Sequence, residues 1–336
     1  MPVDTGRPDV TFGAIIAPTP LVVNESSPDA HQGAYYLFPL RCFNVATRPT
    51  RPYTKPALSP AALLSHLQNR GITVVDPLLA LAALEHVGYY RLLIYMRPLQ
   101  QLPGKMFAPG TTFEAVLDLY NFDRELRLLC LDAIERIEVA LRAAIVSQVA
   151  VPHGPHFFLD PQHFERLHGF VEFFQTASSA KYLGIQHYRE HYGPPDLAPI
   201  WTITEAITFG ALSRLYSGLQ LRHRKAIADR FGFDEKVLVS WFRSVNMLRN
   251  MCAHHNRLWN FRMVVDQPMA ANRLRSEMSS TERFYARAVV LVALLQAIAP
   301  GAGWAQRLVS LIDRYPAVPT AEMGFPADWR TRPLWR

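Results

Sequence analysis

Residues 235–257 read EKVLVSWFRSVNMLRNMCAHHNR, with no glycine or proline among them. Asp234 stands just before as an N-cap residue, so the pattern predicts a helix from about Glu235 to Arg257. At about 100° per residue, Leu238, Trp241, Val245, Leu248 and Cys252 fall on one apolar stripe. Arg243, Asn246, Asn250, His254 and Arg257 line the other side, with Arg249 on the border. His254 lies one turn beyond Asn250 and shares its face, while His255 points away. His255 fits an Arg-(x)5-His spacing and is the alternative to His254 if the helix ends or kinks near Ala253. A buried seam beside a row of Arg, Asn and His has the character of one wall of a site.

The same helical period extends outward in both directions. Trp201–Leu219 reads as a helical stretch, with Gly210 inside it where helices approach closely. Downstream, Phe284–Ile298 and Ala305–Ile312 add two more helices. Upstream, Ser59-Pro60 and Asp76-Pro77 are helix starts, closed by Arg70-Gly71 and by Gly88. Those two helices form either a helix-turn-helix or a pair that packs on the core. From Thr111-Thr112-Phe113-Glu114, which can form a capping box, no glycine or proline occurs until after Val151. A break near Asn121–Asp123 would divide that length into two ordinary helices. Its apolar stripe is Leu119, Phe122, Leu126, Leu129, Ala133, Ile137, Ala140 and Ala144. No sustained alternation marks a sheet, so the fold class is all-α.

Opposite that stripe, Asp123–Arg127, Asp132–Arg136 and Glu138–Arg142 are acid-to-base pairs four residues apart. They form a solvated, salt-bridged face, or else a carboxylate such as Glu138 or Asp132 holds Arg249 in place. Glu205 faces either solvent or the site.

Composition narrows the function classes. No apolar run reaches the roughly 18 residues that span a bilayer, and Gln296 and Pro300 limit the best candidate, Ala288–Ala299. Acidic residues and prolines near the N-terminus do not suit a signal peptide, so a soluble, cytoplasmic protein without membrane association is expected. Cys42, Cys130 and Cys252 give neither a disulfide framework nor a paired metal spacing. Residues 1–50 are proline-rich and poor in charge, and read as a poorly ordered or variable extension ahead of a helical domain over 51–336. Between Gly210 and Val265 there are ten Lys/Arg and three Asp/Glu, which equals the net charge of the chain, +7. Charge so concentrated suits a polyanion, with Arg222, Arg224, Lys225 and Arg243 as the candidate contacts. It equally suits a solvated basic face.

His187-Tyr188-Arg189-Glu190-His191 fits an inverted zinc-protease pattern, but Gly193-Pro194-Pro195 ends the segment and no third ligand stands out. No metal and no cofactor is expected. His153 and His156 flank Gly154-Pro155 in a turn and read as surface residues.

Arg249-Asn250 followed by His254 resembles the Arg-(x)4-His signature of the HEPN superfamily of helical ribonucleases. The longer string Leu248–Asn250 to Cys252–Asn260 resembles more narrowly the Abi-like family, abortive-infection proteins of the AbiD and AbiF type within the HEPN group. Matching pieces occur in family order at Lys55–Ser59, Gly88–Leu92, Phe122–Arg127, Asp132–Glu138, Pro199–Trp201 and Met323–Pro326. The resemblance covers roughly residues 53–336 and implies a HEPN-like helical bundle with additional helices, its core at about 111–300.

RNA carries its own nucleophile, the 2′-hydroxyl, so cleavage needs a base, an acid and positive charge on the phosphate, but no metal. Histidine serves either proton role near neutral pH, and arginine offers a planar fork to phosphate oxygens. The candidate catalytic residues are therefore His254 for proton transfer, Arg249 for the phosphate and Asn250 for orientation. Asn246, His255, Asn256, Arg257 and Glu138 are candidate supporting residues. HEPN proteins commonly pair two such motifs across a dimer, so the resemblance implies a homodimer with a composite site. It also implies a phage-defence or toxin–antitoxin endoribonuclease, restrained by an antitoxin protein or small RNA. The rivals are a non-catalytic nucleic-acid-binding helical protein and a helical interaction protein whose motif is structural.

Overall fold

Ser59 and Asp76 each set a side-chain oxygen beneath a helix start, and each is followed by proline. Ser59 Oγ accepts from the Ala62 N–H and opens α1 (Pro60–Gln68); Asp76 Oδ1 accepts from the Leu79 N–H and opens α2 (Pro77–Ala83). Gly71, at φ 87°, ends the first unit as expected. α2 continues through a π turn, Leu84–Gly88, into α3 (Tyr89–Met96). The only strands among the described residues are β1 (Gln100–Gln101) and β2 (Met106–Phe107), an antiparallel pair. The computed structural model describes Pro52 and residues 54–336; the expectation for residues 1–50 lies outside the described residues.

The central element is α4 (Phe113–Ile145), 33 residues without a break. The expected interruption at Asn121–Asp123 does not occur, because Phe122 and Asp123 are both buried and the carboxylate is fully engaged by neighbours. The start also differs from a capping box. Thr112 is the cap, accepting from the Ala115 N–H, and Glu114 accepts from the Val75 and Asp76 N–H groups instead of from its own turn. Beyond Ile145 a π turn, Val146–Ala150, leads into a last turn, α5 (Val151–His153).

Then come α6 (Leu167–Ser179), α7 (Leu183–His191), α8 (Ile200–Ala206), α9 (Phe209–Gly218), α10 (Leu221–Phe231) and α11 (Glu235–Ala253). The predicted continuous stretch Trp201–Leu219 is two helices, since Ile207 is extended and Thr208 caps the second through the Ala211 N–H. α12 (Phe284–Ile298) and α13 (Trp304–Arg314) close the bundle on α4. From Phe284 to Leu295 every residue of α12 is buried, including Arg287, whose guanidinium donates to the Met263 carbonyl at 3.0 Å.

α4 packs against α3, α11, α12 and α13, so the core is built around it. Buried tryptophans keep their N–H groups satisfied: Trp241 donates to the Met269 carbonyl at 2.8 Å and Trp304 to the Leu129 carbonyl at 2.7 Å. Each therefore adds the ~1.5–3 kcal/mol expected for burying a large apolar side chain, without a polar penalty. No described helix is long and apolar enough to cross a membrane.

Candidate functional site

α11 begins at Glu235 with Asp234 as its cap, as predicted, but ends at Ala253, four residues short of Arg257. His255 adopts the left-handed conformation, at φ 58°. Its N–H reaches the Cys252 carbonyl at 3.1 Å and the Asn256 N–H reaches that of Met251 at 2.8 Å, the paired bonds of a Schellman motif. Glycine usually fills this position; a histidine there costs about 1–2 kcal/mol. The neighbours hold it in place, with the Arg91 guanidinium donating to the His255 carbonyl. His254 caps the helix, its N–H still bonded to the Asn250 carbonyl at 3.0 Å, so it keeps its place one turn beyond Asn250.

The segment after the turn is clamped by a buried carboxylate. Asp123 accepts from the Leu258 N–H at 3.0 Å, the Trp259 N–H at 2.7 Å and the Tyr95 hydroxyl at 2.7 Å, and pairs with Arg127 at 2.5 Å. Arg127 also donates to the Asn256 carbonyl at 3.4 Å. Burial pushes the Asp123 carboxyl up, against the pull of Arg127 and the other donors. The solvated face expected for this pair is thus wrong in one respect: Asp123 and Arg127 lie inside. Arg257, expected on the polar face of the helix, has left the helix altogether. Its guanidinium donates to the Ile94 and Asn260 carbonyls, and Asn256 contributes its main-chain carbonyl to the clamp while the residue itself stays exposed. Asn260 in turn accepts from Arg283 at 3.1 Å, and Gly324, at φ 83°, lies directly over the Arg283 side chain.

Ahead of the clamp, Arg249, Asn250 and Asn246 are half-buried and His254 and His255 exposed. Arg249 lies in the field of Glu138, and its Nη1 makes a weak 3.4 Å contact with Asn250 Oδ1. Among the described residues it forms no salt bridge, because Glu138 is taken by Arg142 at 2.5 Å and Arg142 also holds Glu205 at 2.8 Å. Burial raises the Glu138 carboxyl, opposed by Arg142 and Arg249. The carboxylates Glu138 and Glu205 thus join the site region, whereas Asp132 pairs with Arg307 and Arg136 instead. Asn246 packs on Gly210, where an added Cβ would meet Asn246 Oδ1 at 3.1 Å; the close approach expected at that glycine is that of α9 to α11.

The basic candidates divide. Arg222, Lys225 and Arg243 are exposed, with Arg243 two turns before Asn250 on α11. Arg224 is buried and saturated: it pairs with Glu165 and with Glu235 at 3.1 Å, and donates to the Leu219 carbonyl at 2.8 Å. It ties α10 to α11 and presents no exposed guanidinium. His187 and His191 are exposed on α7, with His191 Nδ1 against the His187 carbonyl at 2.9 Å and Glu190 held by Gln186. His153 is exposed as expected, but its ring meets those of His163 and His223, two residues the sequence reading did not single out.

A family model described as "Abi-like protein" matches residues 82–260, more than half of the chain. The chain belongs to the Abi-like family. The match begins in α2, takes in Arg91, Asp123, Arg127, Glu138 and all of α11, and ends at Asn260, the last residue of the clamped string. It is narrower than the 53–336 suggested by the resemblance: the Lys55–Ser59 and Met323–Pro326 pieces of the Abi-like chain lie outside it. Neither a curated protein nor a solved structure gives a significant match.

Proposed function

We propose that this Abi-like protein is a phage-defence or toxin–antitoxin endoribonuclease of the HEPN type, with Arg249, Asn250 and His254 at the reacting phosphate. The observation that carries this reading is the contrast among the arginines around α11. Arg91, Arg127, Arg142, Arg224 and Arg257 are all committed to carbonyls or carboxylates, while Arg249, five residues before the exposed His254, makes only the weak contact with Asn250. Arg243, earlier on α11, is exposed and likewise forms no salt bridge among the described residues.

In the proposed reaction the RNA 2′-oxygen attacks the adjacent phosphorus, and a histidine takes the hydroxyl proton. The bond to the 5′-oxygen breaks, a second acid protonates that oxygen, and a 2′,3′-cyclic phosphate remains. Arg249 neutralises the charge on the non-bridging oxygens and Asn250 orients it. A single α11 offers His254 for one proton role, so a homodimer supplies the other from the partner subunit's His254. Val139 and Trp201, 50% and 47% exposed on the helices that carry Glu138 and Glu205, are the apolar contacts such an assembly would cover.

The test incubates purified protein with mixed cellular RNA and analyses the product ends. Arg249→Ala and His254→Ala should each lower cleavage by about a hundredfold or more, the usual contribution of acid–base groups, with the melting temperature unchanged. Undiminished cleavage by both variants, or 3′-hydroxyl products, would reject the reading. The second reading, a non-catalytic RNA-binding protein, is favoured by the exposed Arg222, Lys225 and Arg243. It predicts salt-sensitive binding that falls on charge reversal at those residues and is indifferent to His254.

A further inference from the structure

Three histidines far apart in sequence converge outside the Arg249–His254 region. His153 ends α5, His163 ends the turn Pro161–His163, and His223 lies in the first turn of α10. One nitrogen from each imidazole lies within 4.8 Å of those of the other two, and His163 Nδ1 is 3.0 Å from His223 Nε2. Ring centroids are 4.7–5.1 Å apart around the triangle. Among the described residues this is the only group of three or more His, Cys, Asp or Glu so placed.

The surroundings hold two of these rings in position. The His163 carbonyl accepts from the Gln220 N–H at 2.9 Å, Phe164 and Leu219 form an antiparallel bridge, and the His223 N–H donates to the Gln220 carbonyl at 3.0 Å. Arg224, next to His223, fixes the same turn to Glu165 and Glu235. His163 and His223 are 9% and 3% exposed, while His153 is exposed and closes the triangle from the solvent side. Tetrahedral zinc with Zn–N bonds of about 2.0–2.1 Å sets its ligand nitrogens about 3.3 Å apart. The His163–His223 pair already meets that spacing to within a few tenths of an ångström, and the third nitrogen, on exposed His153, stands within 4.8 Å of both and would have to close in on metal binding. Three neutral imidazoles with no carboxylate or thiolate suit a borderline transition metal and not calcium or magnesium. Asp160 provides a negative charge near His163; Arg222 lies near both His163 and His223, where its cation opposes a bare divalent ion and favours an anionic fourth ligand such as hydroxide.

We infer that His153, His163 and His223 form a zinc(II) site that cross-links the end of the α4–α5 rod, the Pro161–His163 turn and α10, with its fourth position open to solvent. The site uses none of the residues of the proposed ribonuclease centre.

The test uses tag-free full-length protein, stripped with EDTA and reloaded with zinc or cobalt, with metal counted by mass spectrometry. Expected are one zinc per chain, the visible absorption of tetrahedral cobalt, and a melting temperature several degrees higher with zinc, as mass action requires. His163→Gln with His223→Gln should abolish all three. Because that variant alters buried positions, His153→Ala serves as the surface probe: it should keep the metal-free melting temperature and weaken zinc at least about tenfold. His187→Ala with His191→Ala should leave stoichiometry and spectrum unchanged. Less than about a tenth of a zinc per chain with no thermal response would overturn the inference. So would binding lost in the His187/His191 variant but kept when His153 and His163 are both replaced.

Discussion

Asp123 collects four donors: the Tyr95 hydroxyl, the Arg127 guanidinium and the main-chain N–H groups of Leu258 and Trp259. Removing the carboxylate would leave two buried amides without partners and a buried cation with only the Tyr95 hydroxyl and the Asn256 carbonyl. Asp123→Ala should therefore cost about 3–5 kcal/mol in urea unfolding, the range for breaking one side of a buried ion pair. Replacing Arg127 with Met in the same chain should recover only part of that loss, since the two N–H groups remain unpaired. Full recovery would show that the amides find other partners. The sequence reading saw Asp123–Arg127 only as a pair four apart, because helical spacing shows that two side chains meet and not whether a third segment covers them. The counterpart, the loop at 256–259, lies about 130 residues away. By contrast the fate of Glu138 was partly legible: one of the two readings has a carboxylate such as Glu138 or Asp132 hold Arg249, and Glu138 does lie in the field of Arg249, although Arg142 is the arginine that pairs with it.

Among elements, the approach of α9 to α11 depends on Gly210. A β-carbon there would stand 3.1 Å from Asn246 Oδ1, and a β-branched side chain would press further into α11. Gly210→Val should lower stability by ~1–3 kcal/mol, as overpacking does, and Asn246→Ala added to it should return most of that. Thermal melts of the two single variants and the double variant would measure the coupling; strict additivity would mean that the helices do not meet at this pair. The glycine was readable in sequence because its absence of side chain is itself the signal. The end of α11 was legible only as an alternative, a break near Ala253 against a helix running to Arg257, since no glycine or proline marks it. His255 takes the left-handed position that glycine usually fills, with its carbonyl held by Arg91.

α10 and the Pro161–His163 turn give a pH dependence as well. In metal-free protein, burial and then His163, Arg222 and His153 push the His223 pKa down to about 4, and burial and then His153 lower that of His163, with Asp160 opposing. A folded value below the unfolded one of about 6.5 means that the unfolded chain binds the proton first as pH falls. The stability from keeping these rings neutral is thus complete above about pH 6.5 and is lost as pH falls toward 4. Metal-free wild type should lose more melting temperature between pH 7.5 and 4.5 than His223→Gln. Equal losses would mean that these rings titrate normally.

At the scale of the whole molecule, the matched segment 82–260 is smaller than what the fold requires. Its long helix α4 is covered by α12 and α13, both C-terminal to the match, and α12 is buried over its full circumference from Phe284 to Leu295. The clamp that fixes the turn at His254 also continues into that region, through Trp259 to the Pro319 carbonyl and through Asn260 to Arg283 and the Gly324 turn. All-α class and the positions of α12 and α13 were legible because a run of apolar residues at helical period states both element and burial. Which faces meet was not, because every buried helix has an apolar side. A chain ending at Asn260 should therefore expose the α12-facing side of α4 and fail to give a cooperative melt, although it keeps Arg249, Asn250 and His254. Adding residues 261–336 as a separate chain should restore the transition if the two pieces associate as they do in the intact molecule. A sharp transition from 82–260 alone would show instead that α4 and α11 suffice as a core.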